Sequence, residues 1–236
     1  MSEIKEVFDK MHIELPDGAL ELLNRYYEML IDTNKVMNLT TITEYSEVVI
    51  KHFADSAAIG CITDMNGNMD VIDVGTGAGF PGIVLKIVYP QLSVVLLDSL
   101  NKRVNFLKNV ITELGLTDIS AIHGRAEDIA RNKDYREKFD LCVSRAVANM
   151  SSLSEYCLPF VKVGGRFIPY KADGCDEEVK TASKAVNILG GKIRKMESYV
   201  IPDTDICRKF VVIDKLRNTS AKYPRKAGLP TKEPLV

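Results

Sequence analysis

Residues 71–82, VIDVGTGAGFPG, decide the fold of this chain. The first four, Val71–Val74, are apolar except for one carboxylate, and this predicts a buried strand. Four glycines follow within eight positions, and the apolar run Ile83–Val88 suits a helix. A strand, a glycine turn and a helix in this order bring bare backbone close to a ligand.

Two classes of cofactor are bound by such a turn. The spacing that starts at Gly77 fits the dinucleotide fingerprint, with Asp98 as the acid further on. The S-adenosylmethionine (SAM) loop instead has an acid inside the strand and glycines directly after it. Here Gly75 abuts the strand, and Pro81 has no N–H to offer a pyrophosphate. Asp73 needs a partner if it is buried, and the α-ammonium of SAM is one. These details favour SAM, and NAD remains the alternative.

Length and composition indicate one domain, or one domain with an extension. The chain has 236 residues, of which 46% are apolar, so it can bury a sizeable core. Its net charge is only −1, but residues 215–236 hold six basic residues and one acid. A basic end on an acidic body indicates a polyanionic partner, although a solvated terminus explains the charge equally well.

Cysteine usage and hydropathy bound the compartment. The five cysteines are scattered without a C-x-x-C pair, so neither a disulfide framework nor a metal site is implied. No apolar leader or stretch of about 20 apolar residues is present. We therefore expect a soluble cytoplasmic monomer without membrane contact.

The order of patterns predicts an α/β fold with a Rossmann-like, doubly wound sheet. Residues 1–64 have helical spacing and read as an extension packed on the core, residues 65–214 alternate strands with helices, and residues 215–236 form the basic tail. Strands are predicted at 71–74, 92–98, 119–123, 139–144, 166–170, 193–200 and 206–213. The last two follow each other without a helix, which indicates a hairpin and one reversed strand. SAM methyltransferases usually end in this way, whereas dehydrogenase sheets are usually parallel.

Candidate site residues lie where the parallel strands end, since ligands bind at that edge of an open sheet. Gly75 and Gly77 of the loop come first. Asp98 ends the second strand, where it can accept both ribose hydroxyls or cap the next helix. Ala126 and Glu127 follow the third strand, and they can read adenine or merely start a helix.

The fourth strand ends at Ser144-Arg145-Ala146, beside the expected methyl group. Arg145 could act there, or it could pair structurally with a carboxylate. His52, Asp55 and Ser56 lie at helical spacing without a nucleophile turn, so they anchor the N-terminal helices or line a base pocket rather than form a hydrolase triad.

Several motifs together resemble the RsmG/GidB family. They are the 71–82 block, RAED at 125–128, SRA at 144–146, KADG at 171–174 and YPRKAGLPTKEPL at 223–235, with NLTTIT at 38–43 and KHFADS at 51–56. The resemblance implies SAM-dependent methylation of guanine N7 in the 530 loop of 16S ribosomal RNA. It assigns the SAM contacts to Gly75, Phe80, Ala126, Glu127 and Arg145, with Asp98 on the ribose.

Guanine N7 carries an in-plane lone pair at neutral pH, so we expect no dedicated catalytic acid or base. The enzyme has only to align the reacting atoms and exclude water. Tyr223, Arg225 and Lys226 offer stacking and phosphate contact for RNA, and Lys171 could join them. The expected partner is 16S ribosomal RNA or a small-subunit particle. A methyltransferase acting on small molecules or proteins, and an RNA-binding protein that keeps SAM as a structural ligand, remain as alternatives.

Overall fold

The computed structural model describes residues 2–145 and 147–235, and it contains a seven-stranded sheet of order β3-β2-β1-β4-β5-β7-β6. Neighbouring strands from β3 to β5 are parallel, and β7 is antiparallel to both β5 and β6. The single reversed strand confirms the predicted fold class. The strands are β1 Asp70–Val74, β2 Ser93–Asp98, β3 Ile119–His123, β4 Phe139–Arg145, β5 Val161–Ala172, β6 Gly191–Val200 and β7 Cys207–Lys215.

Helices cover both faces of the sheet. The α-helices are α1 Glu3–Lys10, α2 Ala19–Met37, α3 Tyr45–Val48, α4 Asp55–Ala57, α5 Gly82–Val88, α6 Asn101–Glu113, α7 Ala126–Ile129, α8 Met150–Cys157, α9 Asp176–Ile188 and α10 Leu229–Lys232. A π-helix, Val49–Ala54, joins α3 to α4, and 3₁₀ turns follow α4 and α8 at Ala58–Cys61 and Leu158–Phe160. None of the helices in the described part of the chain is long and apolar enough to cross a membrane.

Alternating residues of β1 face two apolar clusters. Val71 belongs to a cluster that includes Leu23 of α2 and Val84 of α5, whereas Ile72 belongs to one with Leu153 of α8. The N-terminal helices therefore share a core with the sheet, as an extension packed on it would. The division of the chain at residues 64 and 214 stays a prediction.

Two elements differ from the pattern read in the sequence. The fifth strand begins at Val161 rather than at Arg166, because Gly164 and Gly165 continue it instead of turning. A Cβ at Gly165 would lie 2.6 Å from the Asp140 carbonyl oxygen, so this backbone passes close to β4 where the pairing register shifts. The apolar pattern predicts a helix over 154–160, whereas helix α8 begins four residues earlier, at Met150, where the Asn149 side chain caps it by accepting the Ser152 N–H.

The basic end of the chain is docked on the domain rather than merely solvated. We call residues 216–235 the C-terminal segment. The Arg136 guanidinium donates to the carbonyl oxygens of Thr219 at 2.7 Å and Tyr223 at 3.0 Å. The Arg225 guanidinium binds the carboxylate of Glu155, whose side chain is fully buried. These contacts hold the segment against α8, so that Gly228 and Thr231 lie near the carboxyl ends of β1 and β2.

Candidate active site

The glycine loop begins directly after β1. Gly75, Gly77 and Gly79 have φ angles of +73°, +63° and +106°, in the region that L side chains rarely adopt. The Gly75 N–H donates to the Leu97 carbonyl oxygen of β2 at 2.8 Å, which holds the loop against the sheet. A Cβ at Gly75 would lie 2.5 Å from Cγ2 of Val147. Glycine is therefore required here both by conformation and by space.

The buried side chain of Asp73 holds this loop through hydrogen bonds. Its Oδ2 accepts the Thr76 hydroxyl at 2.6 Å and the Gly82 N–H at 2.8 Å, while burial raises the pKa of the carboxyl group to about 6. Its Oδ1 is buried and has no hydrogen-bond partner among the described residues. The two hydrogen bonds to Oδ2 thus come from the loop itself, and the contact of Asp73 with the ammonium group of SAM stays a prediction.

A cavity of about 600 Å³ opens at the carboxyl ends of β1, β2 and β3. Four of the predicted cofactor residues line it, namely Gly75, Asp98, Ala126 and Glu127. Ligand cavities in proteins commonly hold about 300–1,000 Å³, so the volume suits a nucleoside with an amino-acid arm. We call it the first cavity.

Asp98 lies two residues before the N-cap of α6, Leu100, so it does not cap this helix, and it faces the first cavity. Its Oδ1 accepts the Leu100 N–H at 2.8 Å, where α6 begins, and its Oδ2 accepts the Gly77 N–H at 2.9 Å. The Arg103 guanidinium lies 3.5 Å from Oδ2. Because a carboxylate has about four lone-pair positions, these contacts leave acceptor capacity for a ligand hydroxyl. The contact of Asp98 with the ribose hydroxyls stays a prediction.

Glu127 is 6% exposed and meets the C-terminal segment at the rim of the first cavity. Its Oε1 accepts the Gly228 N–H at 2.9 Å. Gly228 and Thr231 are themselves lining residues of this cavity. Neither residue could be predicted as a cofactor contact, because the basic composition of the segment indicated only an RNA partner. The one local signal was Gly228-Leu229-Pro230, a glycine followed by a proline near a helix start.

Phe80 and Arg145 lie in a second, mostly buried cluster. The Phe80 ring is stacked on the His52 ring at a centroid distance of 4.4 Å, and Cζ of Arg145 lies 5.3 Å from the Phe80 centroid. Arg145 Nη1 donates to Oδ2 of Asp55 at 2.6 Å. Arg208 of β7 donates to the same carboxylate through Nε at 2.6 Å and Nη2 at 3.0 Å. Arg145 thus has the structural pairing that the sequence left open, and its contact with a cofactor stays a prediction, as does that of Phe80.

His52 is neutral at pH 7 in this cluster. Burial, followed by the nearby Arg145 cation, lowers its pKa from 6.5 to about 4. Its Nε2 lies 2.9 Å from the Thr40 hydroxyl, which brings the NLTTIT motif to the same place. The π-helix presents His52 toward Phe80 of the glycine loop, so the N-terminal helices and the loop are held together by this ring pair.

A second cavity, of about 340 Å³, adjoins the first and shares the lining residues Val147 and Ala148 with it. The Lys171 ammonium on its wall donates to the Glu178 carboxylate at 2.8 Å and to the Ala148 carbonyl oxygen at 3.3 Å. Arg208 also lines this second cavity. Arg208 could not be predicted as a site residue, since a lone arginine at the start of β7 carries no motif of its own.

The four residues predicted to touch RNA have different surroundings. Lys171 lines the second cavity, and Lys226 is exposed. Tyr223 is only 8% exposed and packs in the apolar cluster beneath α8 and α9, so its ring is not an available stacking surface. Arg225 is engaged with Glu155 at 2.7 and 3.0 Å. Both residues hold the C-terminal segment in place. The burial of the Tyr223 ring does not fit the stacking role predicted from composition, whereas the phosphate contact of Arg225 stays a prediction.

The chain matches the family model described as rRNA small subunit methyltransferase G over residues 19–210. Among named relatives, the ribosomal RNA small subunit methyltransferase G of Lachnoclostridium phytofermentans is 51% identical over 224 residues, which cover 95% of this chain and 93% of that protein. The protein of the same name from Staphylococcus epidermidis is 46% identical over 233 residues, which cover 99% and 97% of the two chains.

Solved structures share the fold at low sequence identity. TYW2 of M. jannaschii, solved in complex with AdoMet, is 16% identical with a TM-score of 0.54, covering 73% of this chain and 77% of that one. A SAM-dependent O-methyltransferase from Thermotoga maritima is 19% identical with a TM-score of 0.53, covering 80% and 72%. The chain therefore belongs to the rRNA small subunit methyltransferase G family, and it is a methyltransferase that uses SAM.

Proposed function

We propose that this enzyme transfers the methyl group of SAM to N7 of a guanosine in the 530 loop of 16S ribosomal RNA. The observation that carries the proposal is that two cavities adjoin at the ends of the parallel strands. The first contains Asp98 and Glu127 among its lining residues, and the second contains Lys171 and Arg208 together with Asp173 and Glu178. Since the two cavities share Val147 and Ala148, a methyl donor in the first and a base in the second would meet beside these two residues.

The residues of the first cavity suit SAM. Gly75 offers backbone without a side chain, Asp98 keeps acceptor capacity for ribose hydroxyls, and Ala126 with Glu127 offers an N–H and a carboxylate to an adenine edge. Gly77 does not line this cavity among the described residues, and its contact with SAM stays a prediction. When bound, SAM supplies an activated methyl group on sulfonium together with its own leaving group. The chain has to bind and orient it and to keep water away.

The second cavity supports a nucleophile that needs no deprotonation. Both carboxylates on its wall are in ion pairs, Glu178 with Lys171 at 2.8 Å and Asp173 with Lys209 at 3.3 Å. Guanine N7 attacks through an in-plane lone pair and loses no proton in the step. The work left to Lys171 and Arg208 is to hold the nucleotide through its phosphate or its acceptor edge.

The substrate class follows from the charges around this opening and from the family. Lys171, Arg208 and the exposed Lys226 lie on elements that surround the two cavities, and cations of this kind bind the RNA backbone. The substrate we propose is 16S ribosomal RNA or a small-subunit particle, methylated in the cytoplasm by a monomer.

The test is methylation of small-subunit particles and of naked 16S RNA from cells that lack this gene. Purified protein with labelled SAM is added, and N7 marks are mapped by borohydride–aniline cleavage and reverse transcription. We expect one new stop in the 530 loop. Methyl groups that are incorporated only elsewhere, or not at all, would refute the assignment.

A matched pair of variants tests the second cavity. Lys171→Ala should lower methyl transfer at least about tenfold while the Kd for SAM stays within twofold, because Lys171 does not line the first cavity among the described residues. Lys180→Ala on α9 removes an exposed charge outside both cavities and should leave the rate unchanged. Equal rates for the two variants would contradict a base site at Lys171.

A further inference from the structure

The C-terminal segment forms part of the wall of the first cavity. Gly228 and Thr231 line it beside residues of β1, β2 and α7. The Gly228 N–H donates to Oε1 of Glu127 at 2.9 Å, and the Thr231 hydroxyl is paired with the Tyr156 hydroxyl at 2.7 Å. Tyr156 is another lining residue, so the segment contacts the wall at two points.

Buried contacts on α8 hold the segment in this position. The Ser152 hydroxyl donates to the Pro230 carbonyl oxygen at 2.7 Å, and Pro230 is buried. Glu155 has no exposed surface, and its carboxylate accepts the Arg225 backbone N–H at 2.7 Å in addition to the Arg225 guanidinium. A buried carboxylate without its cation is costly, so the Arg225 pair is a strong constraint on where residues 226–231 lie.

We propose that the C-terminal segment is a component of the SAM site, in which Gly228 positions the Glu127 carboxylate and Thr231 closes the wall. The inference rests on the proposed assignment of SAM to the first cavity. The C-terminal segment then has two roles, because its buried face contacts the cofactor site while its exposed Lys226 remains available to RNA.

The proposed role of Gly228 is to position the carboxylate of Glu127. The Gly228 N–H restrains the Glu127 side chain through one of the two lone pairs of Oε1, which leaves Oε2 and the remaining lone pair free to accept from an amino group in the cavity. Gly228 has a φ of +82°, a conformation that disfavours any residue with a Cβ. If the segment leaves, Glu127 loses its donor and the cavity opens to water, which weakens every polar contact inside it.

Binding of SAM, measured by calorimetry, tests the inference on a chain shortened at Ala227, which lacks residues 228–236 but keeps Arg225. We expect the Kd to rise at least about tenfold, and Gly228→Ala in the full chain to raise it in the same direction. Lys232→Ala, which removes an exposed cation from the same segment, should leave the Kd within twofold. A Kd within twofold of the parent for both the shortened chain and Gly228→Ala would overturn the inference.

Limited proteolysis of the full chain gives an independent readout that does not depend on a truncated chain folding. Cleavage by trypsin after the exposed Lys226 requires the segment to leave the domain. Saturating SAM should slow this cleavage at least about fivefold, because a ligand that contacts the docked segment stabilises it by linkage. An unchanged rate of cleavage would contradict the proposed contact.

Asp98→Asn distinguishes a failure of the role proposed for the C-terminal segment from a failure of the assignment of SAM to the first cavity. If this variant binds SAM more weakly and the shortened chain does not, the inference about the segment fails while the cavity assignment stands. If neither change affects SAM binding, the assignment of SAM to the first cavity fails, and the inference fails with it.

Discussion

Asp55 is the residue whose replacement tests the buried cluster most directly. Its carboxylate is fully buried and accepts three short hydrogen bonds, one from Arg145 and two from Arg208. Asp55→Asn keeps the shape of the side chain but removes the charge and one acceptor oxygen. It also turns an amide N–H₂ toward a guanidinium, where donor faces donor.

The expected loss of stability follows from the hydrogen bonds that the replacement removes. Two charge-assisted bonds disappear, and each contributes about 1.5 kcal/mol to stability, so we expect a loss of about 3 kcal/mol in the free energy of unfolding. This is the lower end of the cost of breaking a buried ion pair, about 3–5 kcal/mol. The lower end applies because the Arg145 and Arg208 side chains are 12% and 20% exposed and recover some contact with water. For a domain of this size, the Tm should fall by about 6–12 °C.

Urea titrations followed by circular dichroism measure this loss, with an unchanged m-value as evidence that the unfolded state is the same. Methyl transfer should fall as well, because Arg208 loses its orientation on the wall of the second cavity, whereas the Kd for SAM should stay within about threefold. Asp32→Asn is the control, since Asp32 pairs with Lys35 on the surface at 2.7 Å and should show no measurable loss. A destabilisation by Asp55→Asn below about 1 kcal/mol would refute the reasoning.

Three further changes follow from the same geometry. His52 has a folded pKa of about 4 against 6.5 when unfolded, so only the unfolded chain binds its proton between these values, and stability falls as the pH is lowered from 7 to 5. His52→Gln should reduce that fall by about 2 kcal/mol in urea titrations at the two pH values, and an identical fall in both proteins would contradict a buried neutral imidazole. Gly75→Ala should weaken SAM binding at least about tenfold in calorimetry, and adding Val147→Ala should recover only part of it, since the contact is relieved but the φ of +73° is not. Arg225→Met leaves the buried carboxylate of Glu155 without its cation and should lower the free energy of unfolding by about 3 kcal/mol, whereas the double change with Glu155→Leu should cost less; equal losses would show that the buried charge is not the cause.

The sheet could be predicted from the sequence because its strands carry their own signals. Val71–Val74 is nearly continuous in apolar residues, as expected for a strand covered on both faces, and Gly75 follows where the chain has to turn under a ligand. The hairpin of β6 and β7 was predicted from a connection that is too short for a helix. Each of these signals is local, so tertiary contacts had little opportunity to override it.

The site was only partly predictable, because its remaining parts depend on contacts between distant residues. Asp98 and Glu127 follow strands and could be named, but Gly228 joins Glu127 across 101 positions of the chain. Tyr223 next to basic residues has the composition of an RNA contact, and only the tertiary structure buries it. The composition of a segment indicates which partners its side chains could contact. Only its packing on the domain determines which of these side chains are exposed.

The π-helix at Val49–Ala54 has a consequence for the length of the chain at this point. Such a turn accommodates one more residue than an α-turn while the helix on either side keeps its phase. Deleting a single residue within it would therefore return it to α-geometry and change the direction of the residues inside the turn, among them His52, which stacks on Phe80. Asp55 lies beyond the turn and would keep its direction toward Arg145, so such a deletion should remove the ring contact and leave the ion pair in place.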